Sequence, residues 1–125
     1  MTQEQKDLLL KDLCARVPYG VKYMRYSWNY DADQELPVIE TLECADKDGY
    51  INLRRVYSIY DINPYLFPMS SMTKEQSLEF LSTCRGGNAY HPTYKSFDWL
   101  DKNLFDYRGL IPMGMAIDAT GKNIY

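Results

Sequence analysis

Three cysteines and one histidine are the side chains in this sequence that could serve nucleophilic catalysis. A thiol nucleophile needs a neighbouring base, and His91 is the single imidazole available for that role. Cys14 and Cys84 both fall in the last turn of a predicted helix, where the negative end of the helix dipole disfavours a thiolate. Cys44 falls on the apolar face of a predicted strand. We therefore interpret all three as buried structural thiols in a reducing compartment, and we expect a cytoplasmic protein.

Acidic residues at short spacing suggest calcium binding in two segments, DADQE at 31–35 and DKDG at 46–49. An EF-hand loop needs glycine at its sixth position and a bidentate glutamate at its twelfth. Counting from Asp31, both of those positions hold leucine, and the second segment places an arginine at the twelfth position. Both segments are therefore interpreted as polar turns.

A second acidic group, Asp98, Asp101 and Asp106 near Arg108, is compatible with metal binding or acid–base chemistry. The alternative is structural. Two of these carboxylates lie in the first turns of a predicted helix, where their negative charge interacts favourably with the positive end of the helix dipole. Asp106 and Arg108 then form a local ion pair that supports a turn at Gly109. The structural reading is favoured, and we expect no metal, no cofactor and no catalytic residues.

Aromatic side chains are the stronger signal, because 12 Tyr, 4 Phe and 2 Trp make up 14% of the 125 residues. In INPYLFPMSSM at 62–72, two prolines hold Tyr65, Leu66 and Phe67 in an extended path. Such a segment either packs against the core or offers a groove, and packing is favoured. Tyr65 and Phe67 stay candidates for binding.

The loop GGNAYHPTYKS at 86–96 contains the residue types that recognition loops use. Tyr90, His91, Tyr94 and Lys95 lie there among glycine, proline and asparagine. We predict that these four side chains bind a partner, with an ordinary solvated loop as the alternative.

Hydrophobic periodicity, capping boxes and turn residues place these segments on a small α+β domain. Thr2 with Gln5, and Thr73 with Gln76, have capping-box spacing, and Ser96 is predicted to cap a third helix. The fold class is a small antiparallel sheet of three to four strands packed with about three helices, in a single domain over residues 1–125. The predicted elements are helices at 3–16 and 74–85, strands at 21–26, 37–44 and 50–57, and a last strand at 115–118.

Overall charge and hydrophobicity describe an ordinary globular domain. The net charge is −3, charged residues make up 25% and hydrophobic residues 46%. The longest apolar stretch, LIPMGMAI at 110–117, is far shorter than the ~20 residues of a membrane span. We expect no membrane partner, and a monomer or small homo-oligomer.

Three stretches resemble a known family: KDLLLKDLCARVPYGVK at 6–22, INPYLFPMSSMTKEQ at 62–76, and DWLDKNLFDYRGLIPMGMAIDAT at 98–120. They are similar to a family of small uncharacterised proteins of gut Bacteroidetes, often encoded in prophage or mobile-element regions. The resemblance implies a bacterial, mobile-element setting. It implies no catalytic residues.

Two functions are consistent with these patterns. The first is a non-enzymatic protein-interaction module that contacts a protein partner of unknown identity through the 86–96 loop and an exposed strand face. The alternative is a single-stranded nucleic-acid-binding protein that stacks bases on strand aromatics. Its basic residues would be Lys22, Arg25, Arg54 and Arg55. An enzyme is the least supported class, because no Walker, Rossmann or nucleophile-elbow pattern occurs.

Overall fold

The computed structural model describes residues 1–43, 50–51, 57–58 and 62–125. Along the described chain, one helix precedes five strands, two further helices follow, and two short strands come last. The helices are α1 (Gln3–Arg16), α2 (Lys74–Thr83) and α3 (Tyr94–Lys102). The strands are β1 (Lys22–Asn29), β2 (Gln34–Thr41), β3 (Tyr50–Ile51), β4 (Tyr57–Ser58), β5 (Asn63–Pro68), β6 (Phe105–Asp106) and β7 (Ile117–Asp118). The predicted α+β class is confirmed.

Helix α1 begins and ends where its sequence predicts. Thr2 and Gln5 form the reciprocal capping box, which satisfies two backbone donors that the first turn leaves free. The sequence predicts an apolar stripe at residues 10, 13, 14 and 17. The buried positions each lie one residue earlier, at Leu9, Asp12, Leu13 and Arg16. Cys14 is exposed, so its expected burial is wrong. The expectation failed because two of the four buried positions carry charges, which a search for an apolar stripe passes over.

Strands β1 and β2 form an antiparallel hairpin that is longer than the sequence predicts. Their register extends from Lys22 opposite Thr41 to Asn29 opposite Gln34. The sequence predicts a polar turn over NYDADQEL at 29–36, and the observed turn is limited to the four residues at 30–33. The side chain of Asn29 accepts a hydrogen bond of 2.9 Å from the backbone N–H of Ala32, which stabilises this tight turn.

The proline-containing segment at 62–72 contains the central strand β5 of the sheet. Its two prolines lie near the ends of the strand, where a missing N–H group costs least. Between them the Phe67 N–H donates to the Leu104 carbonyl at 2.9 Å, and the Leu66 carbonyl accepts from the Ala119 N–H at 2.8 Å. The segment is thus a hydrogen-bonded strand of the sheet. The sequence does not predict a strand there, because proline is uncommon inside a sheet.

The sheet is mixed, in contrast to the antiparallel sheet that was predicted. Its order is β2-β1-β5-β6, and β7 also pairs with β5. The first two pairings are antiparallel, whereas β6 and β7 both run parallel to β5. Parallel pairing follows from the connections, because helices α2 and α3 carry the chain back to the start of the sheet before β6. The predicted final strand is confirmed at Ile117–Asp118.

One apolar cluster joins α1 to the sheet and to the C-terminal turns. Its buried members are Leu9, Leu13, Val21, Tyr23, Leu42, Ile62, Leu66, Leu104, Leu110, Met115 and Ala116. Leu104 adopts a left-handed backbone (φ 62°), which reverses the chain between α3 and β6 and turns its side chain into this cluster.

Helices α2 and α3 begin with capping boxes at Thr73 and Thr93. The predicted cap of α3 at Ser96 is wrong by three residues, because Ser96 is the third helical residue and bonds back to Thr93. Tyr94 and Lys95 therefore begin the helix and do not belong to the preceding loop. Helix α2 ends at Thr83, two residues earlier than predicted, and Cys84 is buried just beyond it.

The predicted third strand at 50–57 lies largely outside the described residues. Its described ends belong to β3 and β4, which pair with each other in an antiparallel ladder, so the prediction of one strand over 50–57 is wrong. The predicted turn at 46–49 and Cys44 also lie outside the described residues. Among the helices of the described ranges, none has the length and apolar character that a membrane crossing requires.

Candidate functional site

The loop between α2 and α3 borders an open groove with a volume of about 600 Å³. We call it the loop groove. Its walls are Arg85, Tyr90, His91, Pro92, Thr93 and Tyr94. Binding sites for small ligands and peptide side chains commonly have volumes of roughly 300–1,000 Å³. The groove therefore has the size of a recognition site and includes three of the four residues predicted to bind from this loop.

Hydrogen bonds fix the backbone of the loop groove. The Arg85 N–H donates to the His91 carbonyl at 2.9 Å, which closes the loop, and the His91 N–H donates to the Asn88 carbonyl at 3.0 Å. Gly86 and Gly87 both adopt left-handed backbone angles (φ 64° and 69°), a conformation in which glycine is favoured. The groove is thus formed by a folded turn with a defined shape.

Below the loop, three hydroxyl side chains join the end of α2 to the start of α3. The Thr83 carbonyl accepts from Thr93 Oγ1 at 2.8 Å and from Ser96 Oγ at 3.0 Å. The Thr93 N–H donates to Ser96 Oγ at 2.9 Å. Ser96 is fully buried, so this network holds both ends of the loop on a solvent-excluded anchor.

The aromatic rings of the loop groove face solvent. Tyr90 is 90% exposed and Tyr94 is 79% exposed, and His91 and Lys95 are exposed as well. The stretch from residue 85 to residue 97 contains Arg85, Lys95 and His91 and no acidic residue. The loop groove therefore combines aromatic area with local positive charge, on a chain whose net charge is −3.

Exposed aromatic residues also lie on the β1–β2 hairpin. Partners directly opposite in a ladder point to the same side of the sheet. Met24 is opposite Ile39, Tyr26 opposite Pro37, and Trp28 opposite Glu35. Tyr26, Trp28 and Ile39 are 59%, 48% and 50% exposed, and Tyr30 in the turn is 89% exposed.

We call residues 26–37 of this hairpin the hairpin arm. Sequence analysis missed it because the predicted strand ended at Tyr26. The signal was present in the alternation of aromatic and polar residues in YSWNY at 26–30, which places Tyr26 and Trp28 on one face. The charged residues of the arm are Asp31, Asp33 and Glu35, so it is acidic where the loop groove is basic.

The structure separates Tyr65 and Phe67 from the loop groove. Both lie on β5, where Tyr65 is buried and contributes its carbonyl to a 2.6 Å hydrogen bond from the Tyr125 hydroxyl. Phe67 is half-buried between Phe105 and Tyr125, with ring centroids 6.1 and 5.8 Å away. It also borders a cavity of about 250 Å³. The packing interpretation applies to both, and the prediction that Tyr65 binds a partner is wrong because its side chain is inaccessible.

The basic residues proposed for nucleic-acid binding do not form an open patch among the described residues. Arg25 is 7% exposed and donates to Oε1 of Glu40 at 2.6 Å. Lys22 donates from Nζ to the carbonyl of Ile124 at 3.0 Å. Arg54 and Arg55 lie outside the described residues. Arg25 is therefore unavailable to phosphates, and Lys22 is partly engaged in holding the C-terminal segment.

The acidic residues at 98–106 have separate structural partners. Asp98 accepts a 2.6 Å hydrogen bond from the Tyr19 hydroxyl, and this bond raises the pKa of Tyr19. Asp106 accepts from the backbone N–H groups of Leu110 and Ile111 at 2.9 and 2.8 Å. It therefore closes the turn through the backbone, and the predicted Asp106–Arg108 ion pair is wrong.

Arg108 instead pairs with Asp12 at 2.6 Å and with Asp101 at 3.5 Å. Burial raises the pKa of the neighbouring Tyr107, whose hydroxyl donates to Asp101, to about 12. Within the described ranges, no group of three or more His, Cys, Asp or Glu side chains is placed to hold a metal ion. The thiol of Cys84 lies 3.5 Å from Ser96 Oγ, in the anchor beneath the loop.

Comparison of the chain with models of protein families, with curated proteins and with solved structures finds no match. The functional interpretation therefore depends on the geometry and charge of these surfaces.

Proposed function

We propose that this protein is a non-enzymatic protein-interaction module and that the loop groove is its binding surface. The observation that carries the proposal is the exposure of two rings in the groove: Tyr90, 90% exposed, on a loop whose backbone is fixed by hydrogen bonds, and Tyr94, 79% exposed, at the start of α3. Rigid aromatic rings supply contact area at low cost in conformational entropy. The mobile-element setting implied by the family resemblance is part of the same proposal.

The backbone of this loop is already ordered before a partner binds, which suits the loop to binding. The loop closes through the Arg85–His91 backbone hydrogen bond and is anchored by the buried hydroxyl of Ser96. A partner that binds there does not have to order the backbone, so more of the contact free energy contributes to affinity. The partner expected from the local charge is an acidic protein surface that also offers apolar or aromatic side chains.

Affinity capture with groove variants tests the proposal. The tagged wild-type protein, a Tyr90→Ala/Tyr94→Ala double variant and a Leu78→Ala control are each incubated with lysate of the cells that encode the protein. Leu78 is a matched exposed apolar residue, 60% exposed on α2 and outside the groove walls. Capture of a specific protein should fall about tenfold or more in the double variant, a change of about 1.4 kcal/mol or more. Equal capture by all three proteins would contradict the assignment.

A single-stranded nucleic acid is the second candidate ligand of the same groove. Arg85 lines the groove with the exposed rings of Tyr90 and Tyr94, and Lys95 follows Tyr94 in the sequence, a combination of cations and stacking surfaces that bind single strands. The fluorescence anisotropy of a labelled oligonucleotide, measured at low and at physiological salt, tests it. Binding that weakens steeply with salt and is lost in Arg85→Gln/Lys95→Gln would favour this candidate. Absent or salt-insensitive binding would eliminate it.

A further inference from the structure

The two exposed aromatic surfaces of this chain have opposite charge. The hairpin arm contains Asp31, Asp33 and Glu35 and no Lys, Arg or His from residue 26 to residue 39. The loop groove contains Arg85, with Lys95 in the stretch beside it, and no acidic residue from 85 to 97. Each surface therefore offers the charge that the other lacks, and both offer aromatic rings that can stack.

The arm also has a shape that can enter a groove. Strand β1 pairs with β5 only through Tyr23 and Met24, whereas its pairing with β2 continues to Asn29. Beyond Met24 the described sheet narrows to two strands. Five residues, 25–29, at about 3.3 Å each give this two-stranded extension a length of roughly 16 Å. The exposed rings of Tyr26, Trp28 and Tyr30 lie along it and at its tip.

The arm belongs to one edge of the sheet, and the helix that follows the groove packs on the strand at the opposite edge. Strand β2 is one outer strand and β6 is the other, with β1 and β5 between them. Helix α3, which follows the groove directly, packs on β6 through the stacked rings of Trp99 and Phe105, whose centroids are 5.6 Å apart. This arrangement favours contact of the arm with the groove of a neighbouring molecule.

We propose that the chain binds a second copy of itself head to tail, with the hairpin arm of one copy in the loop groove of the next. The inference rests on the proposed function of the loop groove as a protein-binding surface. The aromatic rings of the arm pack against Tyr90 and Tyr94, and its carboxylates face Arg85 and Lys95. Because the two surfaces differ, each dimer leaves one arm and one groove free, and association continues to rings or chains.

Complementation between two variants tests this geometry. An arm variant, Tyr26→Ala/Trp28→Ala, lacks one surface, and a groove variant, Tyr90→Ala/Tyr94→Ala, lacks the other. Sedimentation equilibrium is measured between about 10 μM and about 1 mM, where small interfaces associate. The wild type should exceed the dimer mass, while each variant alone stays at the 14.7 kDa monomer. An equimolar mixture of the two variants should form a 1:1 dimer and stop there, because no intact surface is left to extend it.

Charge is tested separately, with substitutions that keep every ring. Asp31→Asn/Asp33→Asn/Glu35→Gln should weaken association about tenfold, and raised salt should weaken the wild type similarly. Circular dichroism spectra identical to that of the wild type establish that each variant is folded, which is expected because every substituted side chain is exposed.

Three results would overturn the inference. A wild type that stays monomeric over the whole range would do so, as would groove and arm variants that associate like the wild type. A dimer that is lost only in the arm variant would indicate symmetric pairing of two arms instead. The proposed function fails on a different observation, since it requires only that the groove variant lose capture of a protein partner. A monomeric wild type whose groove captures another protein would refute the inference alone.

Discussion

Arg108 donates from Nη1 to Oδ1 of Asp12 at 2.6 Å, joining residues 96 positions apart. The Asp12 side chain is fully buried and accepts a second bond, 2.9 Å long, from Nε of Arg16. Arg16 in turn donates from Nη2 to the Phe105 carbonyl at 2.6 Å. One carboxylate thus links α1 to β6 and to the turn that follows it.

Replacing Asp12 with Asn should destabilise the fold strongly. The substitution removes the charge that compensates two guanidinium groups in a solvent-excluded site, and breaking a buried pair in this way costs about 3–5 kcal/mol. Urea unfolding measures the loss. Asp7→Asn, an exposed residue on the same helix, is the matched control and should change the free energy of unfolding by less than about 0.5 kcal/mol. Equal stability of the two variants would show that the buried pairing contributes nothing.

Two tyrosine hydroxyls should lose their protons at a higher pH than an ordinary tyrosine does. Burial raises the pKa of Tyr107 and of Tyr125 to about 12, whereas an unfolded tyrosine titrates near about 10. Between these values the folded state holds more protons than the unfolded state, so the free energy of unfolding falls as the pH rises from about 10 through about 12. The contribution of these tyrosines is fully present below pH 10.

Tyrosinate absorbance followed against pH, in buffer and in urea, measures this difference. Tyr107→Phe and Tyr125→Phe should each remove one late-titrating group. A single step near about 10 in the folded protein, with unchanged circular dichroism, would contradict the assignment.

The Tyr125 hydroxyl bridges two strands. It accepts from the Lys22 N–H at 2.8 Å and donates to the Tyr65 carbonyl at 2.6 Å, which connects β1 to β5 beside their last ladder pair. Tyr125→Phe leaves both groups without this partner and should cost about 1–3 kcal/mol. Thermal unfolding measures the effect, and Tyr30→Phe, whose residue is 89% exposed, serves as the control. If both variants melt like the wild type, the bridge is dispensable.

Ser96→Ala should loosen the loop groove. Ser96 Oγ accepts from the Thr93 N–H and donates to the Thr83 carbonyl inside the protein, so its removal should destabilise the fold by about 1–3 kcal/mol. Amide hydrogen exchange at Arg85, which closes the loop, should speed up in the variant. Ser82→Ala on the exposed side of α2 should leave both quantities unchanged. Unaltered exchange at Arg85 in the Ser96 variant would show that the hydroxyl network does not hold the loop.

Sequence patterns predicted the structure correctly where the interacting residues lie within one helical turn of each other. The capping boxes at Thr2 and Thr73 each join residues three apart, so their sequence spacing contains the whole interaction. At Thr93 the residue three positions on is Ser96, which is neither Glu nor Gln, so the capping-box rule did not find this cap. Turn residues located the loop between α2 and α3, since Gly86 and Gly87 there adopt left-handed backbone angles.

Residue type and spacing thus determined the α+β class, the starts of α1 and α2, and the presence of Tyr90 on a loop. The tertiary structure alone decided which charges are buried, because Asp12 acquires its second partner from 96 positions away. It also decided that the segment at 63–68 is the central strand, since its ladder partners come from both ends of the chain. Exposure of the hairpin arm is likewise a tertiary property: alternation places Tyr26 and Trp28 on one face, and only the packing of the remaining chain leaves that face open to solvent.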